Sequence, residues 1–401
     1  GFWSQGSRRQ PSVALWESTR RGQLVDSFAS HVYGYTPDGG GLGDISVHTR
    51  RDDALDGSAA RIEADLTLAG PKGTRTASLL AYIPAAASAL RPVPALLGLN
   101  FVGNHATATE PDVCTPTSGE RIGAAHGQRI AQHGAQARRW PYSLIVGRGY
   151  GVATLWYEEI EIDLPGFASA GVRGLFGECA DRDAQGWGAI GAWAWGLSRA
   201  LDALSQLSEI DGSSIVAVGH SRLGKAALWA AAQDERFAGV ISNESGCGGA
   251  SLFRHKGIED IGVITSVRPH WFAQRFADYR YAEERLPVDQ HQLLALQAPR
   301  PTHVASASRD AGADPRGEFL STLHASPVFE LYGHRGTLAR GSVAPGHDLL
   351  ADTAVAVAVP TPGTRIGGRL SYHLRDGEHD MLAEDWVHIL DFADDNLRPR
   401  A

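Results

Sequence analysis

The sequence predicts an α/β fold: a doubly wound, mostly parallel sheet with helices on both faces. Short apolar runs typical of buried parallel strands recur along the chain. Amphipathic segments such as Ile190 to Leu207 lie between these runs. Strands that alternate with helices in this way form a parallel sheet covered by helices. We therefore expect a ligand to bind at the carboxyl ends of the strands.

Five apolar runs are the predicted parallel strands. Each is rich in Val, Ile, Leu or Ala and is bounded by Gly, Pro, Asp or Ser. They are Val93 to Phe101, Gly149 to Tyr157, Ser214 to His220, Phe237 to Ser245 and Thr302 to Asp310.

The chain is predicted to form one domain over residues 1–401, because it contains no fixed-period repeat and no long low-complexity linker. Two less regular stretches, at about 104–139 and 333–368, are rich in Gly, Ala, Thr and His. We interpret both as insertions near the carboxyl edge of the sheet. The second contains the apolar run Asp352 to Pro360, which is expected to form an extra strand or a flap.

The composition indicates a globular protein with a small or neutral ligand. The chain has 401 residues and 43% hydrophobic content, enough to bury a sizeable core. A net charge of -8 without Lys/Arg runs argues against nucleic acid or an anionic membrane as partner. No apolar run reaches the roughly 18 residues that indicate a membrane-spanning helix. The chain begins at Gly1 without Met or a signal region, which is typical of a trimmed sequence.

Three cysteines, Cys114, Cys179 and Cys247, show neither a CxxC nor a Cys/His spacing of the zinc type. A structural metal is therefore not expected. One disulfide with one free thiol fits their number, and the sequence leaves the pairing open.

The stretch from Gly219 to Lys225, GHSRLGK, joins an apolar strand directly to an Ala-rich helix. Such a turn holds the side chain of Ser221 out at the carboxyl edge of the strand, as the nucleophile elbow of α/β-hydrolases does. The Gly-x-Ser-x-x-Gly spacing departs from the usual Gly-x-Ser-x-Gly, with Leu223 where a small residue is expected. The alternative is an ordinary helix N-cap, for which serine is favoured.

A nucleophilic serine needs a base within hydrogen-bonding reach. In α/β-hydrolases this histidine comes last in the chain, and His379 lies in a Gly-Glu-His-Asp turn before the C-terminal helix. We favour His379 among the sixteen histidines. His373 alternates within an apolar strand pattern, which is typical of a core residue.

Two carboxylates are candidates for the acid that orients the base. Asp310 ends a predicted strand at the usual place for this acid, and Glu244 ends the strand that follows the nucleophile helix. Each could instead be a solvated surface carboxylate. Asp314 is a weaker third candidate.

Several motifs together resemble the glucuronoyl esterases of carbohydrate esterase family 15, particularly the bacterial members. The likeness runs from about Trp16 to Phe392, and its Ser-Arg-x-Gly-Lys core is distinctive. The motifs are GHSRLGKAALWAAA, SNESGCGGASLFRH, RPHWF, ADPRGEF and YHLRDGEHDMLAEDW, with RRGQLVDSFASHVYGYTP and LLGLNFVGNHAT toward the N-terminus.

The resemblance implies a secreted or periplasmic, monomeric carboxylic ester hydrolase without metal or organic cofactor. Its substrate would be the ester between (4-O-methyl)glucuronic acid of glucuronoxylan and a lignin alcohol. By the resemblance Ser221 is the nucleophile and His379 the base, with Glu244 or Asp310 as the acid. Another carbohydrate serine esterase, such as an acetylxylan esterase, and a non-catalytic carbohydrate-binding protein on the same scaffold are the alternatives.

The resemblance also assigns one further catalytic position and three substrate-binding positions. Arg222 would serve the oxyanion, and its alternative role is a structural salt bridge. Lys225 is one turn beyond the nucleophile, where its ammonium can meet sugar hydroxyls, and it is one of only three lysines among 37 basic residues. Glu259 would accept bonds from sugar hydroxyls or be a surface carboxylate, and Trp271 would stack on a pyranose or fill the core.

The sequence departs from the family pattern in three places. Gly312 stands two residues after the Asp310 candidate, where many bacterial members carry a Trp, so one wall of the pocket is expected to be missing. His220 occupies the place of a cysteine in fungal members. The insertion at 333–368 lengthens the path from Asp310 to His379 and is expected to cover or reshape the cleft.

Overall fold

The computed structural model describes residues 12–127, 130–177, 185–255, 257–338 and 358–397. Ten strands within these residues form one sheet. They are β1 Gly41–Asp53, β2 Ala59–Gly70, β3 Gly73–Pro84, β4 Val93–Asn100, β5 Gly151–Trp156, β6 Ile210–His220, β7 Gly239–Asn243, β8 Thr302–Ala307, β9 Thr364–Gly367 and β10 Leu370–Arg375.

The order across the sheet is β1-β2-β3-β5-β4-β6-β7-β8-β10-β9. The central run from β5 to β10 is parallel throughout, which confirms the predicted mostly parallel sheet. The five predicted strands are β4 to β8. Nearly all of their residues are buried, as expected for strands that are covered on both faces.

The sequence did not reveal the antiparallel strands β1, β2 and β3, which extend one edge of the sheet. Strand β1 is mostly exposed and carries a run of charged residues. An edge strand with so few apolar side chains gives no hydrophobic period to read. At the other edge, β9 pairs antiparallel to β10.

Helices cover both faces of the sheet. Helices α4, α5 and α8 belong to one hydrophobic cluster, and α3 and α9 belong to the other. The α-helices of six or more residues in the described ranges are α1 Arg21–Phe28, α2 Gly119–His126, α3 Tyr142–Gly147, α4 Ala189–Leu204, α5 Arg222–Gln233, α6 Ile261–Val267, α7 Gln290–Ala295, α8 Pro315–Leu331 and α9 Ala383–Leu397.

Aromatic side chains fill both clusters. Trp193 and Trp229 are fully buried on the first face, and Tyr150 and Trp386 are fully buried on the second. Each such ring removes a large apolar area from water, so the two faces together supply the core that the composition predicts.

The first predicted insertion contains α2 and a 3-10 turn at Ala137–Arg139. In the second, residues 339–357, and with them most of the apolar run Asp352 to Pro360, lie outside the described residues. Cys114 and Cys247 have free thiols, and Cys179 also lies outside the described residues. The assignment of residues 1–401 to one domain stays a prediction.

The carboxyl ends of β6, β7, β8 and β10 meet at one edge, because these four strands are parallel neighbours. The strand predicted to end at Ser245 ends at Asn243, and the strand predicted to end at Asp310 ends at Ala307. Glu244 and Asp310 therefore lie in the turns that follow these strands, at the edge of the sheet where α/β proteins bind ligands.

Candidate active site

Ser221 sits in a strained turn between β6 and α5. Its backbone has φ 57° and ψ -130°, a conformation that non-glycine residues rarely adopt. The Ser221 N–H donates to the carbonyl of Asn243 at 2.8 Å, which ties the turn to the neighbouring strand. The sheet therefore maintains the strained backbone conformation of Ser221, and this conformation directs the hydroxyl outward.

The two glycines of this turn permit a close approach between strand and helix. A Cβ on Gly219 would lie 2.1 Å from the carbonyl oxygen of Leu223, and one on Gly224 would lie 3.0 Å from the oxygen of Gly219. The side chain of Leu223 is buried in the core. The unusual Gly-x-Ser-x-x-Gly spacing thus still forms a tight elbow, with the second glycine one residue later.

His379 lies in the loop after β10 and reaches the serine. Its Nε2 is 2.9 Å from Oγ of Ser221, within the range expected of a nucleophile and its base. The loop is held by Asp380, which pairs with Arg139 at 2.6 Å and with Arg138. The structure thus brings together the two residues that the sequence separates by 158 positions.

Both candidate acids contact the same imidazole nitrogen. Nδ1 of His379 is 2.5 Å from Oδ2 of Asp310 and 3.2 Å from Oε2 of Glu244. Glu244 also accepts the backbone N–H of Asp380 and a hydrogen bond from Arg375, each at 2.9 Å. The two alternatives left open by the sequence are therefore both present at the base.

The electrostatics of this group follow from one base between two carboxylates. Burial opposes the charge of His379, but the hydrogen bonds that its Nδ1–H donates to Asp310 and Glu244 outweigh burial and raise the pKa of His379 to about 9. Burial raises the pKa of Glu244 to about 7. Burial would also raise the pKa of Asp310, but the bond from His379 and its charge lower it below the usual value. Asp310 is thus the acid more readily ionised.

The rival residues serve other parts of the structure. His373 is fully buried in β10, where its Nε2 is 3.0 Å from Asp385 and its Nδ1 is 2.7 Å from His303, as expected of a core residue. Asp314 caps α8 and accepts hydrogen bonds from Ser251 and His255 at 2.7 and 2.8 Å. Neither reaches His379 by any contact within the described residues.

Arg222 pairs with a buried carboxylate that the sequence did not single out. Its guanidinium donates to Oδ2 of Asp163, so the structural salt bridge considered from the sequence is present. Its Nε is buried and has no partner among the described residues. Its backbone N–H stands in the first turn of α5, where a helix has no acceptor of its own. Arg222 lines the same pocket as Ser221.

Asp163 connects Arg222 to the pocket wall. Its Oδ1 accepts hydrogen bonds from Nε2 of His270 at 2.8 Å and from the indole N–H of Trp271 at 2.6 Å. Burial would raise the pKa of Asp163, but the bond from His270 and the charge of Arg222 lower it to about 2. The only sequence signal was the run of acidic residues after β5, YEEIEID, whose partners are distant in the chain.

Lys225 is buried, and its ammonium is engaged. Nζ donates to the carbonyls of Ser245 and Cys247, each at 2.7 Å, and lies 3.4 Å from Glu259. Lys225 is therefore not a solvated surface lysine. Glu259 keeps 35% of its side chain exposed, so its carboxylate has free lone pairs toward the pocket, and the sugar contacts assigned to both residues stay a prediction.

Trp271 is 5% exposed, so most of its ring belongs to the core. Three cations surround the ring: Arg222, Arg268 and Lys225 lie 4.9, 5.5 and 5.7 Å from its centroid. Cations over an indole are favourable and fix its orientation. The part of Trp271 that remains exposed lines the pocket.

A pocket of about 320 Å³ opens beside Ser221. Gly312 stands at its edge, exposed, and a Cβ there would meet only Asp310 at 3.5 Å, so this wall is open as the sequence predicts. The pocket brings together all the predicted site residues. Its lining consists of Ser221, Arg222, Lys225, Glu244, Ser245, Gly246, Glu259, Val263, Ile264, Val267, Arg268, Trp271, Asp310, Gly312, Ala313 and His379.

His220 packs against the base. Its ring centroid lies 4.6 Å from that of His379, and its Nδ1 is 2.5 Å from Oδ1 of Asn243. Burial, followed by the nearby charge of His379, lowers the pKa of His220 to about 3. A neutral ring therefore supports His379 from the side without adding a second positive charge.

Within the described residues, one group of metal-ligating side chains converges: Glu244, Asp310 and His379, whose ligand atoms lie within 4.8 Å of one another. Hydrogen bonding between the imidazole and the two carboxylates accounts for this convergence. We assign it no metal role, since a serine nucleophile with a histidine base needs none.

Comparisons with known proteins agree with this geometry. Residues 142–333 match the sequence profile described as "Glucuronyl esterase, fungi". The chain is 36% identical to carbohydrate esterase MZ0003 of an unknown prokaryotic organism, over 96% of this chain and 86% of that protein. It is 31% identical to 4-O-methyl-glucuronoyl methylesterase 1 of Phanerochaete chrysosporium, over 61% of this chain and 53% of that protein. Among solved structures, a glucuronoyl esterase from Solibacter usitatus has 36% identity and a TM-score of 0.82, over 96% of this chain and 93% of that one.

The fold and the site define a carboxylic ester hydrolase of the α/β-hydrolase class, with a serine, a histidine and an acid at the carboxyl edge of the sheet. The likeness in sequence and in structure extends over nearly the whole chain and narrows this class further. The chain belongs to the glucuronoyl esterases of carbohydrate esterase family 15.

Proposed function

We propose that this enzyme hydrolyses the ester between (4-O-methyl)glucuronic acid of glucuronoxylan and a lignin alcohol. The observation that carries the proposal is the 2.9 Å contact between Ser221 and His379 at the mouth of a pocket that also contains Glu259 and Trp271. The names of the related esterases support a uronate as the acyl group.

In the proposed mechanism, His379 removes the hydroxyl proton of Ser221 as Oγ attacks the ester carbonyl carbon. The carbonyl oxygen becomes an oxyanion, which the backbone N–H and the guanidinium of Arg222 stabilise. Donors of this kind are worth about 3 kcal/mol of transition-state stabilisation each. His379 then returns the proton to the departing alcohol.

Water completes the reaction by the same route. His379 removes a proton from water, the hydroxide attacks the uronoyl–serine ester, and Ser221 leaves with the proton from the imidazolium. Asp310 and Glu244 stabilise the imidazolium in both halves of the reaction, since both face its Nδ1. Glucuronate and a free alcohol are the products, and no cofactor is consumed.

The pocket suits a sugar on the acyl side of the ester. The half-exposed carboxylate of Glu259 can accept hydrogen bonds from sugar hydroxyls. Its orientation is restricted by Nζ of Lys225, which lies 3.4 Å from Oε1 of Glu259. The exposed part of Trp271 offers an apolar surface to a pyranose. Arg268 and Arg222 add positive charge beside the site where negative charge develops.

A second candidate function is hydrolysis of another carbohydrate ester, such as acetylated xylan. The open wall at Gly312 favours it, because a pocket without this side leaves a sugar less fully enclosed. One relative is described only as a carbohydrate esterase. A carbohydrate-binding protein without activity is the remaining alternative, and reaction of Ser221 with a fluorophosphonate probe would exclude it.

We further propose that the enzyme acts as a secreted or periplasmic monomer. A cell-wall polymer is reached only outside the cytoplasm, and all the groups of the proposed mechanism come from one chain. The described residues contain no helix of the length and apolarity needed to cross a membrane.

The experiment that tests the substrate compares hydrolysis of benzyl glucuronate and 4-nitrophenyl acetate by the wild type and by Ser221→Ala. We expect a higher kcat/KM for the glucuronate and loss of both activities in the variant. Turnover of the acetate alone would keep Ser221 as nucleophile and assign the enzyme to another ester. Turnover by Ser221→Ala would contradict the assignment of the nucleophile.

A further inference from the structure

Arg375 is a buried arginine that donates hydrogen bonds to the loop containing the proposed base, His379. It is the last residue of β10, and its side chain is 2% exposed. Its Nη2 donates to Oε1 of Glu244 at 2.9 Å and to the backbone carbonyls of Glu378 and Asp380 at 2.8 and 3.0 Å. These carbonyls flank His379 on either side, so one guanidinium holds both the loop and one of its acids.

The other side of the guanidinium is anchored in the core. Nε of Arg375 donates to Oδ2 of Asp385 at 2.9 Å. Asp385 is fully buried and also accepts hydrogen bonds from His373 at 3.0 Å and from the N–H of Leu382 at 2.8 Å. A planar fork fixed at one end in this way presents its remaining donors in a defined direction.

The backbone of the loop is shaped around this guanidinium. Gly377 has φ 146°, and a Cβ at this position would lie 2.2 Å from Nη1 of Arg375. Any side chain at this position would therefore have to displace the guanidinium.

We infer that Arg375 is a positioning residue for the reaction: it keeps His379 on Ser221 by holding the flanking carbonyls, and it keeps Glu244 as an ionised acceptor for the imidazole. The inference rests on the proposed catalytic role of His379. It extends that role to a residue that touches neither the nucleophile nor the pocket.

The charge of Arg375 matters because Glu244 is buried beside another carboxylate. Burial, with a smaller contribution from the charge of Asp310, raises the pKa of Glu244 to about 7, although the hydrogen bond and charge of His379 and the charge of Arg375 oppose this rise. A protonated Glu244 would be a donor and would no longer accept the N–H of the imidazole. The charged and titratable groups that face Glu244 are His379, Asp310 and Arg375, and Glu318 and Tyr372 also lie near it. His379 in turn faces the neutral ring of His220.

The test is Arg375→Met, with Arg309→Met as the matched control. Arg309 binds the same loop from outside, through the carboxylates of Asp376 and Glu378, and is exposed. We expect Arg375→Met to lower kcat for 4-nitrophenyl acetate about 10- to 100-fold at neutral pH while KM stays within about twofold. Arg309→Met should keep the wild-type values.

The pH profile separates positioning from general damage. In Arg375→Met, Glu244 should ionise only at higher pH, so kcat should show an additional rise above neutral pH. The double variant Arg375→Met/Glu244→Gln should lack this rise. A profile parallel to that of the wild type, a kcat within about twofold of it, or an equal change in kcat and KM would each overturn the inference.

A second variant covers the case in which Arg375→Met does not fold. Gly377→Ala leaves Arg375 in the chain but displaces its guanidinium, and it should show the same loss of kcat and the same additional rise. Gly363→Ala is its control, because Gly363 also has a positive φ, of 81°, but has open space around it. Wild-type kinetics in Gly377→Ala would contradict the inference.

Failure of the proposed function would look different from failure of the inference. The acetate measures the Ser221 machinery whatever the natural substrate is, with Ser221→Ala as the blank. If the acetate is hydrolysed and the glucuronate is not, the substrate assignment fails while the effect of Arg375 can still be measured.

Discussion

The indole N–H of Trp271 and the guanidinium of Arg222 bind the same carboxylate, that of Asp163. Asp163 is buried and accepts further hydrogen bonds from His270 and Tyr157. One carboxylate therefore orients both a wall of the pocket and the residue next to the nucleophile.

We expect Asp163→Asn to lower the free energy of unfolding by about 3 kcal/mol, because it leaves Arg222 without a charged partner in a largely buried site. It should also lower kcat/KM for benzyl glucuronate, since the two residues it orients lose their fixed geometry. Urea denaturation and steady-state kinetics measure the two effects. The control is Asp52→Asn, an exposed partner of Arg50, for which about 1 kcal/mol or less is expected. If Asp163→Asn also lowered the free energy of unfolding by only about 1 kcal/mol or less, Asp163 would not be the stabilising buried partner of Arg222.

The two acids should have unequal and overlapping effects. Asp310 is closer to His379 and more readily ionised than Glu244, so Asp310→Asn should lower kcat more than Glu244→Gln. Each single variant keeps one carboxylate at the imidazole. We expect the double variant to lose about 10³-fold or more in kcat, beyond the product of the single effects. Equal and nearly silent single variants would exclude either residue as the sole acid, and a silent double variant would exclude both.

The pH dependence should report the raised pKa of His379. Only the neutral imidazole accepts the serine proton, so kcat/KM should rise as the pH increases through the pKa, which lies above the usual 6.5. Asp310→Asn removes a negative charge that raises this pKa. The acidic limb of its profile should therefore move to lower pH. Rates of 4-nitrophenyl acetate hydrolysis, corrected with Ser221→Ala, measure the shift, and a limb that moves to higher pH would contradict this account.

Gly312→Trp should restore the missing wall of the pocket. Its Cβ would meet only Oδ1 of Asp310, at an ordinary contact distance of 3.5 Å, so we expect folding to be unaffected. The KM for benzyl glucuronate should fall several-fold, while that for 4-nitrophenyl acetate should change little, because an acetyl group does not reach the wall. Ala311→Trp, at the neighbouring exposed position, is the control. Equal effects of both substitutions on both esters would argue against a specific wall at position 312.

Local patterns made part of the site predictable. The elbow at Ser221 could be recognised because a strand, a sharp turn and a helix are all encoded within a dozen residues. The turn around His379 and the ends of the strands before Glu244 and Asp310 are equally local. Parallel strand pairing then brings these short segments to one edge of the sheet.

Long-range pairing made the rest unpredictable. Three partners of Asp163, namely Arg222, His270 and Trp271, lie 59, 107 and 108 residues away, and no pattern in the sequence connects them. Lys225 was correctly placed one turn beyond the nucleophile, but its burial depends on two carbonyls of the loop after β7. The polar edge strand β1 carries no apolar period. Sequence spacing therefore predicts the reacting side chains more easily than it predicts the side chains that position them.

The order of the strands has a consequence for how the enzyme matures. Each side chain of the proposed catalytic group follows a different strand; these residues are Ser221, Glu244, Asp310 and His379. The strand before His379 is the last of the described strands along the sequence. Contacts between such distant segments form late in folding, since closing long loops is slow. A chain whose synthesis stops before β10 would carry the nucleophile without its base. Hydrolytic activity should therefore appear only after the C-terminal part has docked. The time course with which activity recovers during refolding would then measure how fast the sheet is completed.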